Sequence, residues 1–183
     1  HAILARHVDE AVGMQCSSSL RRDEGAFEMN ADRARALAVA GSGNEDNSAD
    51  FEEYIPAGFS LPNLITVGAV DKAGDETSFS TFGKTVVVHA NGFEVESFLP
   101  GGDRVRFSGT SMAGPHVAAA AALVLSARPD LRGNPAAVES VLRETAVPLT
   151  STQTCGLYPG SVVPNAVFGS GRIDAYAAVS RVV

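Results

Sequence analysis

One serine stands where chemistry could happen. The run Gly109-Thr110-Ser111-Met112-Ala113-Gly114-Pro115-His116-Val117 puts a hydroxyl at the mouth of an apolar, helix-like pattern. The first N–H groups of a helix have no partner within it. Together with the helix dipole they favour negative charge close by. A tetrahedral oxyanion formed when Ser111 attacks a carbonyl would fall in that field. Read only from its neighbours, the same serine is more simply a helix cap, which is what most serines before an apolar helix do.

Other candidates need the same weighing. Asn44 closes Gly41-Ser42-Gly43-Asn44, and alone it reads as a turn asparagine. Glu45 follows it and reads as a solvated loop carboxylate. His116 comes five residues after Ser111, about 140° around a helix axis, so its ring cannot easily reach the hydroxyl. A serine nucleophile needs a histidine base and a carboxylate that orients it. The four histidines are His1, His7, His89 and His116, and none is followed by glycine. Asp23-Glu24-Gly25 reads best as a helix start. Gly41-Ser42-Gly43 lacks the third glycine of a dinucleotide loop, since Asp46 stands in its place. Asp46, Asp50, Glu52 and Glu53 read as a solvated acidic loop. Cys16 and Cys155 can pair with each other, pair elsewhere or stay free, and neither has metal-site spacing.

The nine-residue run around Ser111 resembles the active-serine motif of the subtilisin-like serine proteases, the subtilases. Ala118-Ala119 stands where that family usually continues with Ala-Gly. Ser42-Gly43-Asn44 resembles the segment that ends in the family's oxyanion-hole asparagine. It lies in family order, with 67 positions between Asn44 and Ser111. Leu64-Ile65-Thr66-Val67-Gly68-Ala69-Val70-Asp71, Ser78-Phe79-Ser80-Thr81-Phe82-Gly83 and Phe168-Gly169-Ser170-Gly171-Arg172-Ile173-Asp174-Ala175 are similar to the segments that follow. Val12-Gly13-Met14-Gln15-Cys16-Ser17-Ser18 matches the strand whose edge pairs with extended substrate, although the family usually has Ser-Leu-Gly-Gly there. An ordinary sheet strand reads equally well.

The resemblance implies a serine endopeptidase with Ser111 as nucleophile and Asn44 as oxyanion donor. It assigns Gln15, Cys16, Ser17, Ser42 and Gly43 to substrate binding, and gives His116 a structural role. The catalytic Asp and His would come from motifs earlier than residue 1, so residues 1–183 alone are expected to be nearly inert. The rival reading is a non-catalytic relic of the fold that binds peptides or proteins. No cofactor is expected. Calcium is implied only by the family, and at one commonly occupied cation site the matching stretch, Thr85-Val86-Val87, has no acid. The resemblance further implies a polypeptide substrate, a monomer and an extracellular location.

These residues need elements to hold them. The chain has 183 residues, 45% apolar and 19% charged, enough for one domain with a core. A formal charge of −7 argues against nucleic acid or an anionic membrane as partner. The longest unbroken apolar run, residues 117–125, is half a membrane span. Strands are expected over residues 8–16, 37–40, 64–70 and 85–88. A hairpin over 93–107 turns at Pro100-Gly101-Gly102. Helices are expected over 24–35, 111–127, 135–144 and from Asp174 to about Arg181, with Asn134 and Asp174 as caps. The helix over 111–127 is apolar all round near its middle and so is expected to be buried on every face. Alternating strands and helices predict an α/β three-layer sandwich with a mainly parallel sheet and helices on both faces. In family terms this is a subtilisin-like fold over residues 1–183, with its N-terminal strands missing.

Overall fold

The computed structural model describes residues 12–14, 36–45, 56–155 and 158–183. Four parallel strands form the sheet in the order β1 (Val12–Met14), β2 (Leu37–Gly41), β3 (Leu64–Val70) and β4 (Val86–Asn91). All of β3 is buried, as a central parallel strand covered on both faces must be. β4 runs three residues further than the apolar pattern suggested, because His89, Ala90 and Asn91 continue to pair with Gly68, Ala69 and Val70. The register shifts at Thr66/Val67, so Val87 is the extra residue on β4.

Ile65, Val67 and Ala69 of β3 face one core, together with Val88 and Ala90 of β4. The helix α1 (Thr110–Ala127) packs there. α2 (Pro135–Glu144) and α3 (Ala175–Val182) join the same core through Val138, Leu142, Ala178 and Val182. Their caps are the predicted ones. Asn134 Oδ1 accepts from the Ala137 N–H at 3.2 Å, and Asp174 Oδ1 accepts from Ala177 at 2.8 Å. The described helices thus share one face of the sheet. Past the end of β2, Ser80 Oγ accepts from the Ala69 N–H, and on the other face of the sheet the Thr66 hydroxyl donates to the Ala57 carbonyl. The helix expected over residues 24–35 lies outside the described residues.

The expectation that α1 is buried on every face is corrected. Ala113, Val117, Ala120, Ala121 and Val124 are buried at helical spacing, but Leu123 is 52% exposed. The apolar outer face consists mostly of alanines, which hold the helix state well without needing cover. By length and mean hydropathy α1 could cross a membrane, but here its buried face lies on the sheet.

The closing segment adds to the sheet beyond β4. His89 N–H donates to the Gly171 carbonyl, and Ile173 N–H donates to the His89 carbonyl. His89 itself is fully buried, with its ring edge-on to Phe168 at 5.3 Å. It sits opposite Gly68 in the register, and any side chain at 68 would overlap the His89 ring. Burial pushes its pKa down from 6.5 to about 4, with the Phe168 backbone opposing the shift.

β5 (Val95–Phe98) and β6 (Arg104–Phe107) form the predicted hairpin, which leads directly into α1. β7 (Thr154–Cys155) and β8 (Tyr158–Pro159) pair as a short second hairpin.

Candidate active site

The site forms where β2 ends and α1 begins. Gly92, just after β4, accepts the Gly109 N–H on its carbonyl at 2.8 Å. A side chain at Gly92 would come within 2.7 Å of the Gly109 carbonyl and 2.6 Å of Ala69, so only glycine lets the helix start approach this closely. The helix begins at Thr110, with Gly109 in the cap position and no side-chain cap bond. Ser111 is therefore inside the first turn and is not the cap. That removes the simple structural reason for a serine here.

Asn44 meets this turn from the end of β2. Its Oδ1 accepts from the Thr110 N–H at 2.8 Å and from the Thr110 hydroxyl at 3.2 Å. A backbone N–H can only donate, so the side-chain oxygen must face Thr110 and the NH₂ must face away. The Thr110 hydroxyl also accepts from the Gly43 N–H at 3.2 Å. Asn44 is therefore fixed by the residue directly before Ser111. The Asn44 NH₂, the Ser111 N–H and the Ser111 hydroxyl have no hydrogen-bond partners among the described residues. Two free donors and a free hydroxyl stand at one helix N-terminus, with Asn44 tied to Thr110 and Ser111 the next residue along. Such a set can stabilise an oxyanion on a carbonyl carbon attacked by the hydroxyl. Pro115 carries no N–H, so the Ser111 carbonyl lacks its usual bond from the residue four on.

Thr81 holds the Asn44 loop from the other side. The Ser42 hydroxyl donates to the Thr81 carbonyl at 2.7 Å, the Thr81 N–H donates to the Gly43 carbonyl at 3.1 Å, and the Glu45 N–H donates to the Thr81 hydroxyl at 3.3 Å. Ser42 is fully buried and spends its hydroxyl on this anchor. The Glu45 carboxylate accepts from the Asn44 N–H at 2.9 Å. Sequence reading gave no role to Thr81 or to the Thr110 hydroxyl. The signal available was that both sit inside the recognised segments.

Neither described histidine can serve as base to Ser111. His89 is buried within the sheet, and the His116 ring bonds the Met112 carbonyl through Nδ1 at 2.9 Å. Gln15, Cys16 and Ser17 lie outside the described residues, as does any pairing of Cys16 with Cys155. The stretch matching the family's cation site borders a cavity whose charged lining is Lys84, Arg143 and Glu139. Arg143 holds Glu139 at 3.2 Å, and burial raises the pKa of that carboxyl. Two cations and one committed carboxylate do not fit a calcium ion, which needs several free oxygen ligands. No cluster of three or more His, Cys, Asp or Glu able to hold a metal occurs among the described residues.

Comparison with known proteins places the chain in a family. The model of the subtilase family matches residues 9–171. The chain belongs to the subtilase family. It is 42% identical to the subtilisin of Bacillus pumilus over 117 residues, covering 63% of this chain and 41% of that protein. It is 33% identical to the thermophilic serine proteinase of Bacillus sp. (strain AK1) over 177 residues, covering 96% of this chain and 38% of that protein. Among solved structures, the prenylagaramide maturation protease PagA superposes with a TM-score of 0.69 at 26% identity. That match covers 94% of this chain and 61% of the PagA chain. The α/β subtilisin-like fold follows. The chain spans about two fifths of the length of the two curated relatives.

Proposed function

We propose that the protein containing this chain is a serine endopeptidase that cuts peptide bonds through an acyl-enzyme on Ser111. The observation that carries the reading is the Asn44–Thr110 pairing, which ties an amide donor to the nucleophile's own helix turn. The Ser111 oxygen attacks the scissile carbonyl carbon while a base takes its proton. The Asn44 NH₂ and the Ser111 N–H donate to the oxyanion. The tetrahedral centre collapses, the carbon–nitrogen bond breaks, and the base returns the proton to the leaving amine. Water then attacks the ester by the same route. The base and its orienting carboxylate are assigned to motifs preceding residue 1, as the family resemblance implies. On this reading residues 1–183 form the C-terminal portion of a single peptidase domain. Residues 15–17 and the Ser42-Gly43 backbone line the substrate path, and the enzyme acts outside the cell.

The test is Ser111→Ala in the full-length protein, assayed with an unfolded protein substrate. Turnover should vanish while the thermal midpoint stays close to wild type. Full activity in that variant would remove Ser111 from the chemistry. No activity in the folded wild type over a broad substrate panel would favour a peptide-binding relic.

A further inference from the structure

The end of the sheet opposite Ser111 carries a cavity of about 280 Å³. It is bordered by Leu64 at the start of β3 and by Val86 and Val87 at the start of β4, with Phe59 and Leu61 as an apolar wall. Val86 to Gly92 is six residues of near-extended chain, so the cavity lies roughly 20 Å from the Ser111 turn. It is not part of the peptidase site.

Its polar lining is unusual in what is left unpaired. Ser170 is 9% exposed, and its hydroxyl makes no hydrogen bond among the described residues. The Thr85 Oγ1 is buried and has no partner either. A buried hydroxyl such as that of Thr85 is rarely left this way without a ligand or water to satisfy it, whereas the Ser170 oxygen is not enclosed and is open to whatever enters the cavity. The charges divide clearly. Glu139 is held by Arg143, whereas Lys84 makes no ion pair among the described residues. Among the described residues the free charge at the cavity is therefore positive, and the free hydroxyls can donate. Among the described residues, a cation would meet the Lys84 ammonium with no uncommitted carboxylate to offset it.

We propose that this cavity binds a small carboxylate with an apolar tail. The carboxylate pairs with Lys84 and accepts from Ser170, and the hydrocarbon lies against Phe59 and Leu61. The volume is at the low end of ligand pockets, which run from roughly 300 to 1,000 Å³, so the tail is short. A free aliphatic acid and the C-terminal carboxylate of a short apolar peptide share this chemistry.

Titration calorimetry on the full-length protein tests it with hexanoate, acetyl-Gly-Leu, hexylammonium and calcium chloride. Saturable binding of hexanoate or of the peptide acid is expected, and the tighter of the two identifies the source. Lys84→Met keeps the aliphatic stem and should weaken binding about tenfold or more through loss of a charge-assisted contact. Ser170→Ala should weaken it less. Lys84 is exposed, so its replacement leaves the fold intact. The proposal fails if neither acid saturates, if Lys84→Met binds as tightly as wild type, or if hexylammonium or calcium binds as well as the acids.

Discussion

Replacing His89 with glutamine should flatten the acid side of the protein's stability profile. His89 is fully buried in β4, and its Nδ1 has no hydrogen-bond partner among the described residues. Its folded pKa is about 4 against 6.5 for a free histidine. A depressed folded pKa means that the unfolded chain takes up the proton first as pH falls. The stability tied to the neutral ring is therefore complete above about pH 6.5. It is lost progressively down to about pH 4, and below that the ring adds no further change. A difference of 2.5 units corresponds to about 3 kcal/mol, near 1.4 kcal/mol for each pH unit. That is a large part of the 5–15 kcal/mol by which domains are typically stable. The assay is urea unfolding of wild type and His89→Gln at half-unit steps from pH 7.5 to 3.5. The variant loses packing against Phe168 and starts less stable at pH 7.5. Its stability should then fall by about 3 kcal/mol less than wild type across the range. Glu139, whose pKa burial raises, works in the opposite direction, but it is present in both proteins and cancels in the difference. Parallel pH profiles for the two proteins would refute the reasoning.

Three further substitutions probe the same framework. Gly68→Ala drives a methyl into the His89 ring and should cost roughly 1–3 kcal/mol, read as a lowered thermal midpoint and partly relieved in the double variant with His89→Ala. Thr110→Val removes the hydroxyl that links Gly43 to Asn44 while keeping the backbone bond to Asn44 Oδ1; it should lower kcat about tenfold with little change in KM. Asn44→Ala should lower kcat by about 10²–10³, again with KM nearly constant. That magnitude is the one known for such a donor in a subtilisin.

The chemistry-bearing run was legible because it is long and its order is specific. The buried strand β3 and the capped helices α2 and α3 were legible because they follow local rules, namely β-branched runs and an Asn or Asp before the first turn. The C-terminal half of β4 was not. His89 and Asn91 break the apolar pattern; the empty place at Gly68 makes room for the His89 ring, and Asn91 is held by pairing with Val70. The exposed side of α1 escaped for the opposite reason: alanines look buried in a sequence but cost little when left on a surface. The anchoring of Asn44 through Thr110 and Thr81 spans 66 and 37 positions, so no local pattern could reveal it.

The most direct test of the central claim is covalent labelling of the folded full-length protein with a fluorophosphonate, followed by mass spectrometry of the tagged peptide. An activated serine beside an oxyanion site reacts with this probe, and an ordinary helix serine does not. The expected result is one adduct, on Ser111, that disappears when the protein is unfolded first. An adduct on any other serine, or none on a protein that cleaves peptides, would contradict the assignment of Ser111 as the nucleophile.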